Sequence, residues 1–302
     1  MVSRKMGAII KRVLAAIVMI PIAIVTLYVG SPFVEVLAIV VGGLLAWEWA
    51  NMLSAVQTSS RYVTAYMITL ATAIWAYNPM LIISIMAVIT LLTWLMAKKE
   101  KHRKLLTLGV VYISAGIASL IWMYRSFDPS EGNFDPRYNY SFIMTAWFFL
   151  MVWSMDIGGL VVGCNLRGPK LAPKISPNKT WSGLCGGILL AVSVSIIFMY
   201  FCTQIMEIPF YDFSKFRYIS FAYKPLHIHQ EWIVDNQLFY AVLAIFIAIL
   251  AQIGDLIESA IKRCVGVKDS SKLIPGHGGI FDRVDGLIFA SIFVYLFFMY
   301  IL

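Results

Sequence analysis

Between Asp255 and Asp285 the chain gathers carboxylates, cations, hydroxyls and glycines at spacings that can do chemistry. In the run D-L-I-E-S-A-I-K-R, Asp255, Ser259 and Lys262 stand at i, i+4 and i+7, on one face of a helix. That face presents a carboxylate, a hydroxyl and an ammonium in line, with Arg263 beside the last. The next run, K-D-S-S-K-L-I-P-G-H-G-G-I-F-D-R-V-D, extends from Lys268 and Asp269 to Asp285. Its Pro275, Gly276, Gly278 and Gly279 predict a sharp loop whose backbone N–H groups can approach an anion closely. His277 sits in the middle of that loop, either to hydrogen-bond a phosphate or to hold the loop. Asp282 and Asp285 follow at i and i+3 and flank Arg283. Hard oxygen donors from two helices suit Mg²⁺, which is usually held by one or two carboxylates together with substrate phosphates. Lys262, Arg263, Lys268 and Arg283 suit the phosphates themselves. No activated Ser or Cys nucleophile stands nearby, and no Walker A or Rossmann glycine fingerprint occurs, so a nucleotide would bind in another way.

The elements that must position these residues are membrane helices. Of 302 residues, 60% are hydrophobic and only 13% charged, with a mean hydropathy of +0.81. Ordinary globular domains run near 45–50% and about 25%, so a water-soluble fold is excluded and lipid is part of the solvent. The fold class expected is all-α, a polytopic integral membrane protein with about nine transmembrane helices. A span takes roughly 20 apolar residues. The candidate runs are Val13–Val29, Phe33–Met52, Tyr62–Tyr77, Met80–Ala97, Leu105–Tyr124, Phe142–Val162, Gly183–Met206, Gln237–Ile257 and Gly286–Leu302. Ser31–Pro32 and Asn78–Pro79 leave room only for tight turns. Three regions are expected: residues 1–104 with four spans and a basic loop, 105–141 with the fifth span and an external loop, and 142–302 as the catalytic region.

The cations test this count. With the N-terminus inside, one set of loops holds nineteen of the 24 Lys and Arg residues, and the opposite set holds Arg125, Arg137, Lys215, Arg217 and Lys224. This positive-inside bias predicts a cytoplasmic N-terminus and cytoplasmic motif loops. It also explains the net charge of +8 as topology, with no nucleic-acid partner. The N-terminal run is read as an uncleaved first span. Cys164, Cys185, Cys202 and Cys264 have no C-x-x-C spacing and predict neither disulfides nor a zinc site.

Two inside loops differ from ordinary connectors: the one just described, and Cys164–Trp181 with three prolines and four cations. Asp156, near the inner end of the sixth span, is either a structural hydrogen-bonding group or a substrate-lining one. Glu35 and Glu48 read as interhelical or interfacial partners, and His102 as a solvated residue of a basic run. His227, His229 and Glu231 have metal-like spacing within an external polar loop, a setting that favours no site.

The segment Ser259–Asp285 resembles the signature of the phosphatidate cytidylyltransferases, also called CDP-diacylglycerol synthases. K-I-S-P-N-K-T-W-S-G, Lys174 to Gly183, is similar to that family's second recognisable block and contains Lys179. The resemblance implies transfer of CMP from CTP to phosphatidate, giving CDP-diacylglycerol and pyrophosphate, with Mg²⁺ and beside it a monovalent cation such as K⁺. It implies a protein of a bacterial-type cytoplasmic (inner) membrane, in contact with membrane lipids, and leaves room for a homodimer. By the family pattern Asp255 and Asp282 match the metal-binding carboxylates, and Ser259, Lys262 and Asp285 match polar positions around the same centre. Lys179, Lys268, Asp269, His277, Gly278, Gly279 and Arg283 are the substrate-binding candidates. The chain departs from many relatives at Ser182, where they carry Glu, and at Gly163–Cys164, where they carry a Gly-Arg pair that Arg167 could replace. Two other classes fit parts of the pattern: an ion-coupled transporter using Asp156 and Asp255, and an enzyme acting on another lipid phosphate, such as a polyprenol kinase or a synthase for another CDP-lipid. A CDP-alcohol phosphotransferase fits poorly, because its D-G-x-x-A-R core is absent.

Overall fold

A computed structural model describes residues 21–54, 56–75, 79–127, 139–202, 237–274 and 278–301. The chain is an all-α polytopic membrane protein. Helix α1 covers residues 21–29, followed by α2 (Phe33–Leu53), α3 (Val56–Trp75), α4 (Pro79–Met96), a 3₁₀ turn at Ala97–Lys99 and α5 (Arg103–Ser126). Then come α6 (Tyr140–Leu166), strands β1 (Lys170–Ala172) and β2 (Ser176–Thr180), α7 (Trp181–Tyr200), α8 (Gln237–Val265) and α9 (Phe281–Ile301). Among the described residues, five helices are long and apolar enough to cross a membrane: α2, α5, α6, α7 and α8. These account for five of the nine expected spans. The tight turn expected at Ser31–Pro32 is present, and Gly30 supplies the φ of 87° that stops α1.

Contacts divide the chain into two compact units, Met1–Ile121 with Ile261–Val284, and Trp122–Ala260 with Asp285–Leu302. In the first unit, α2 and α3 are each tied to α5 by a side chain that hydrogen-bonds to its backbone. Trp49 Nε1–H donates to the Leu105 carbonyl at 3.1 Å, and the buried Tyr66 hydroxyl of α3 donates to that of Leu106. Gly109 leaves the space that the Trp49 indole fills.

In the second unit, small residues do the packing, as expected where lipid tails compete with apolar side chains and close backbone approach must supply the attraction. A Cβ on Gly158 of α6 would lie 2.7 Å from the Gly186 carbonyl oxygen, and one on Gly187 of α7 would lie 2.6 Å from that of Met155. The outer faces of the same helices expose Ile157, Leu160, Leu189 and Ile197 to the surroundings, the arrangement that lipid requires.

The Cys164–Trp181 loop contains a small antiparallel hairpin, with Lys170 opposite Thr180 and Ala172 opposite Ser176. Its far end becomes α7 through Thr180, whose hydroxyl caps the helix by accepting the Gly183 N–H at 3.1 Å. Helix α8 runs on to Val265, past the apolar run that ends at Ile257, because Glu258, Ser259 and Lys262 all have ordinary helix propensity. Residues that chemistry needs at the end of a span are therefore held on rigid helix.

Candidate active site

In the second unit a glycine crossing builds a carboxylate cluster. A Cβ on Gly254 of α8 would stand 2.8 Å from the Asp285 carbonyl oxygen and 3.0 Å from Gly286 Cα, and one on Gly286 of α9 would stand 2.8 Å from the Ala251 carbonyl oxygen. The two backbones therefore meet at residues whose chain neighbours are Asp255 and Asp285. Glu258, one helical turn beyond Asp255, joins them. One carboxylate oxygen from each of Asp255, Glu258 and Asp285 lies within 4.8 Å of the others. Glu258 is only 2% exposed. Ser259 donates to Asp255 Oδ1 at 3.3 Å, and the ammonium of Lys179, delivered by β2, pairs with Asp255 Oδ2.

Gathering negative charge costs free energy unless a cation shares it. Asp285, the last residue before the apolar run that begins at Gly286, shows this strain. Burial pushes its carboxyl up to about 7, the charges of Asp255 and then Asp156 add to the shift, and the Gly286 N–H, 2.7 Å from Oδ1, pulls it back. Three carboxylate donors within reach of one another, with a lysine ammonium already standing as counter-ion, have the hard-oxygen chemistry of a divalent metal site.

The first unit holds a second pair of carboxylates in a different state. Asp282, in the first turn of α9, receives the Lys262 ammonium on Oδ1 at 2.7 Å. The Ser270 N–H reaches both of its oxygens at 3.2 and 3.1 Å, and the Gly279 N–H reaches Oδ2 at 2.8 Å. Glu48 of α2 is fully buried and accepts from the hydroxyls of Ser270 and Ser271 and the N–H groups of Ile280 and Phe281. The loop closes on itself where the Ile274 N–H meets the Gly278 carbonyl at 2.9 Å. Gly278 adopts a φ of 87°, which favours glycine.

The expected residues thus fall into distinct settings. Asp255, Ser259 and Asp285 come together with Lys179. Lys262 and Asp282 form a buried ion pair. Lys268, Asp269 and Arg283 are exposed, as is Arg263, whose guanidinium reaches back to the Val267 carbonyl at 3.4 Å. His277, with Pro275 and Gly276, lies outside the described residues, as do His227, His229 and Glu231. One departure meets the suggested substitute for the other: the Ser182 hydroxyl donates to the Arg167 backbone carbonyl, and Arg167 carries a positive φ of 54°.

Two acidic residues were not picked out by spacing. Glu258 stands at i+3 from Asp255, a separation that also places side chains on one face. Glu48 gave only the signal of a carboxylate inside a span, which is costly and needs partners.

Comparison with known proteins agrees with the motifs. The model of the cytidylyltransferase family matches residues 10–301. A phosphatidate cytidylyltransferase of Brucella suis is 31% identical over 301 residues, covering 95% of this chain and 92% of the relative. The protein of that name from Haemophilus influenzae is 28% identical over 97% of this chain and 99% of its own length. That from Bacillus subtilis is 32% identical over 70% of this chain and 66% of its own. With the match running through both the hairpin and the α8–α9 motif, the chain belongs to the cytidylyltransferase family and is a membrane-embedded enzyme.

Proposed function

We propose that the chain transfers CMP from CTP to phosphatidate, releasing pyrophosphate and leaving CDP-diacylglycerol in the membrane. The observation that carries this reading is the cluster of Asp255, Glu258 and Asp285 beside Lys179, within the stretch that matches the cytidylyltransferase family. Phosphatidate is already an anion near neutral pH, so no general base is needed. What opposes the reaction is repulsion between that anion and the triphosphate. An oxygen of the phosphatidate phosphate attacks the α-phosphorus of CTP, one P–O bond forms, and the bond to the β-phosphate oxygen breaks in line.

The chain's own residues answer the repulsion. Asp255 is the carboxylate that would hold metal, with Asp285 and Glu258 adding donors beside it, whereas Asp282, the other position that the family pattern assigns to metal, is held by Lys262 and backbone N–H groups. Mg²⁺, accompanied by a monovalent cation such as K⁺, supplies charge stabilisation at the phosphoryl oxygens when bound. Lys179 and Lys262 now act as counter-ions to Asp255 and Asp282. With a metal on Asp255, the Lys179 ammonium would be available to phosphate oxygens, and Lys262, oriented by Asp282, would add its charge toward them. Lys268, Arg263 and Arg283, exposed on their segments, meet the remaining phosphate charge. Gly278, Gly279 and Asp269, together with His277, are the residues of this segment proposed to meet the nucleotide. Fixed donors and cations of this kind stabilise charge as it develops without reorganising. The excess of cations on one set of loops supports a cytoplasmic N-terminus and cytoplasmic motif loops in a bacterial-type inner membrane, on the side where CTP is found.

The test is an assay of the purified full chain in detergent with labelled CTP, Mg²⁺ and a panel of lipid phosphates that includes phosphatidate and a polyprenyl phosphate. Labelled CDP-diacylglycerol with an equal amount of pyrophosphate is the expected result. Product from another lipid phosphate alone, or none from any, would overturn the proposal.

A further inference from the structure

We propose that Glu48, on a helix remote in sequence from the motif, is a positioning residue for the nucleotide phosphates. This rests on the reading that the segment after Lys268 meets CTP. The Glu48 carboxylate is clamped to both ends of that segment. Oε1 accepts from the Ser271 hydroxyl at 2.6 Å and the Ile280 N–H at 2.9 Å. Oε2 accepts from the Ser270 hydroxyl at 3.1 Å and the Phe281 N–H at 2.8 Å. A fully buried carboxylate persists only when its lone pairs are filled, and here four donors fill them.

Two of those donors are N–H groups at the start of α9, where a helix leaves such groups without internal partners and favours negative charge. The ring of Phe281 packs on Trp49, next in chain to Glu48, with centroids 5.3 Å apart. Gly279 completes the fit, because a Cβ there would lie 2.7 Å from both Glu48 oxygens. The missing side chain of Gly279 therefore makes room for the Ser270 hydroxyl together with the Glu48 carboxylate it donates to, in addition to leaving its N–H for Asp282 at 2.8 Å. Glu48 thus sets where the Ser270 and Gly279 N–H groups stand, and with them the Asp282 carboxylate that anchors Lys262.

The isosteric amide exposes this dependence. The serine hydroxyls can reverse and accept from an amide NH₂, but Ile280 and Phe281 offer only N–H groups. Whichever way the amide of Glu48→Gln turns, its nitrogen faces one of these donors, and that charge-assisted hydrogen bond is lost. Loss of such a bond corresponds to roughly tenfold or more in an equilibrium constant.

The experiment measures KM for CTP, KM for phosphatidate, kcat and amide hydrogen exchange on the full-length protein and Glu48→Gln. The expected result is a rise of about tenfold in KM for CTP, a phosphatidate KM within about twofold of normal, and faster exchange at residues 279–281. A role confined to stability would lower the thermal midpoint and move both KM values alike or neither, and that outcome overturns the proposal. Should Glu48→Gln fail to fold, the double variant Ser270→Ala with Ser271→Ala keeps both backbone donors on Glu48. It is expected to raise KM for CTP several-fold at an unchanged midpoint, and an unchanged KM overturns the proposal. An unmutated protein that makes no CDP-diacylglycerol contradicts the proposed function instead, and so separates the two failures.

Discussion

Two carboxylate groups among the described residues are built from the same residue types and behave in opposite ways. In the first unit, Asp282 and Glu48 are surrounded by donors: a lysine ammonium, two serine hydroxyls and four backbone N–H groups. In the second, Asp255, Glu258 and Asp285 face one another within 4.8 Å, and the burial and repulsion are strong enough to raise Asp285 to about 7. A satisfied carboxylate shapes a loop, whereas a crowded one calls for a cation. The contrast shows why counting acidic residues in a motif does not assign their roles, and why the donors around each one do.

The largest expected difference lies in how each group fails. Asp285→Asn removes a member of the crowded cluster and should lower kcat by about a hundredfold or more, the scale found when one charge-stabilising group is lost. Its thermal midpoint should stay level or rise, because a repulsive charge has gone. Lys262→Met acts on the satisfied group and leaves Asp282 without its cation. Breaking a buried pair whose side chains are 11% and 9% exposed should cost about 3 kcal/mol of stability, read as a drop in thermal midpoint. Equal effects of the two variants on the midpoint would erase the contrast.

Glu258→Gln sharpens it further. If Glu258 serves the ion, the Mg²⁺ concentration for half-maximal activity should rise between about tenfold and about a hundredfold, with little change at saturating Mg²⁺.

The pH response distinguishes the groups by sign. A carboxyl raised from 3.8 to about 7 binds its proton more tightly in the folded state. Without metal its contribution to stability is therefore full below the unfolded value and lost as pH rises toward 7. The metal-free midpoint should fall between pH 5 and pH 8 by more in the unmutated protein than in Asp285→Asn (a window set by the shift of Asp285), and Mg²⁺ should restore it at the upper end. The smallest effect is expected at the crossing itself. Gly254→Ala would force apart backbones that meet at 2.8 Å, costing about 1–3 kcal/mol and loosening the spacing of Asp255 and Asp285.

Much of this was legible in the sequence because membrane helices announce themselves through long apolar runs, and α2, α5, α6, α7 and α8 follow theirs. The face carrying Asp255 and Ser259 was legible too, since helical spacing fixes it. The hairpin was not, because Pro169, Pro173 and Pro177 argue against strands. The structure accommodates Pro177 in a two-stranded sheet, whose outer edge needs no further N–H donor. Glu48 was legible only as a costly buried charge, because its partners lie 222 to 233 residues away and no local spacing points to them.

On the proposed function, the carboxylate cluster around Asp255 serves cytidylyl transfer. The most direct measurement is formation of labelled CDP-diacylglycerol from CTP and phosphatidate across a Mg²⁺ titration, for the unmutated protein and for Asp255→Asn at matched folding. Mg²⁺-dependent product with equal pyrophosphate is expected from the first, and a loss of about a thousandfold in the second that added Mg²⁺ does not recover. Normal turnover by folded Asp255→Asn at ordinary Mg²⁺ would contradict that role.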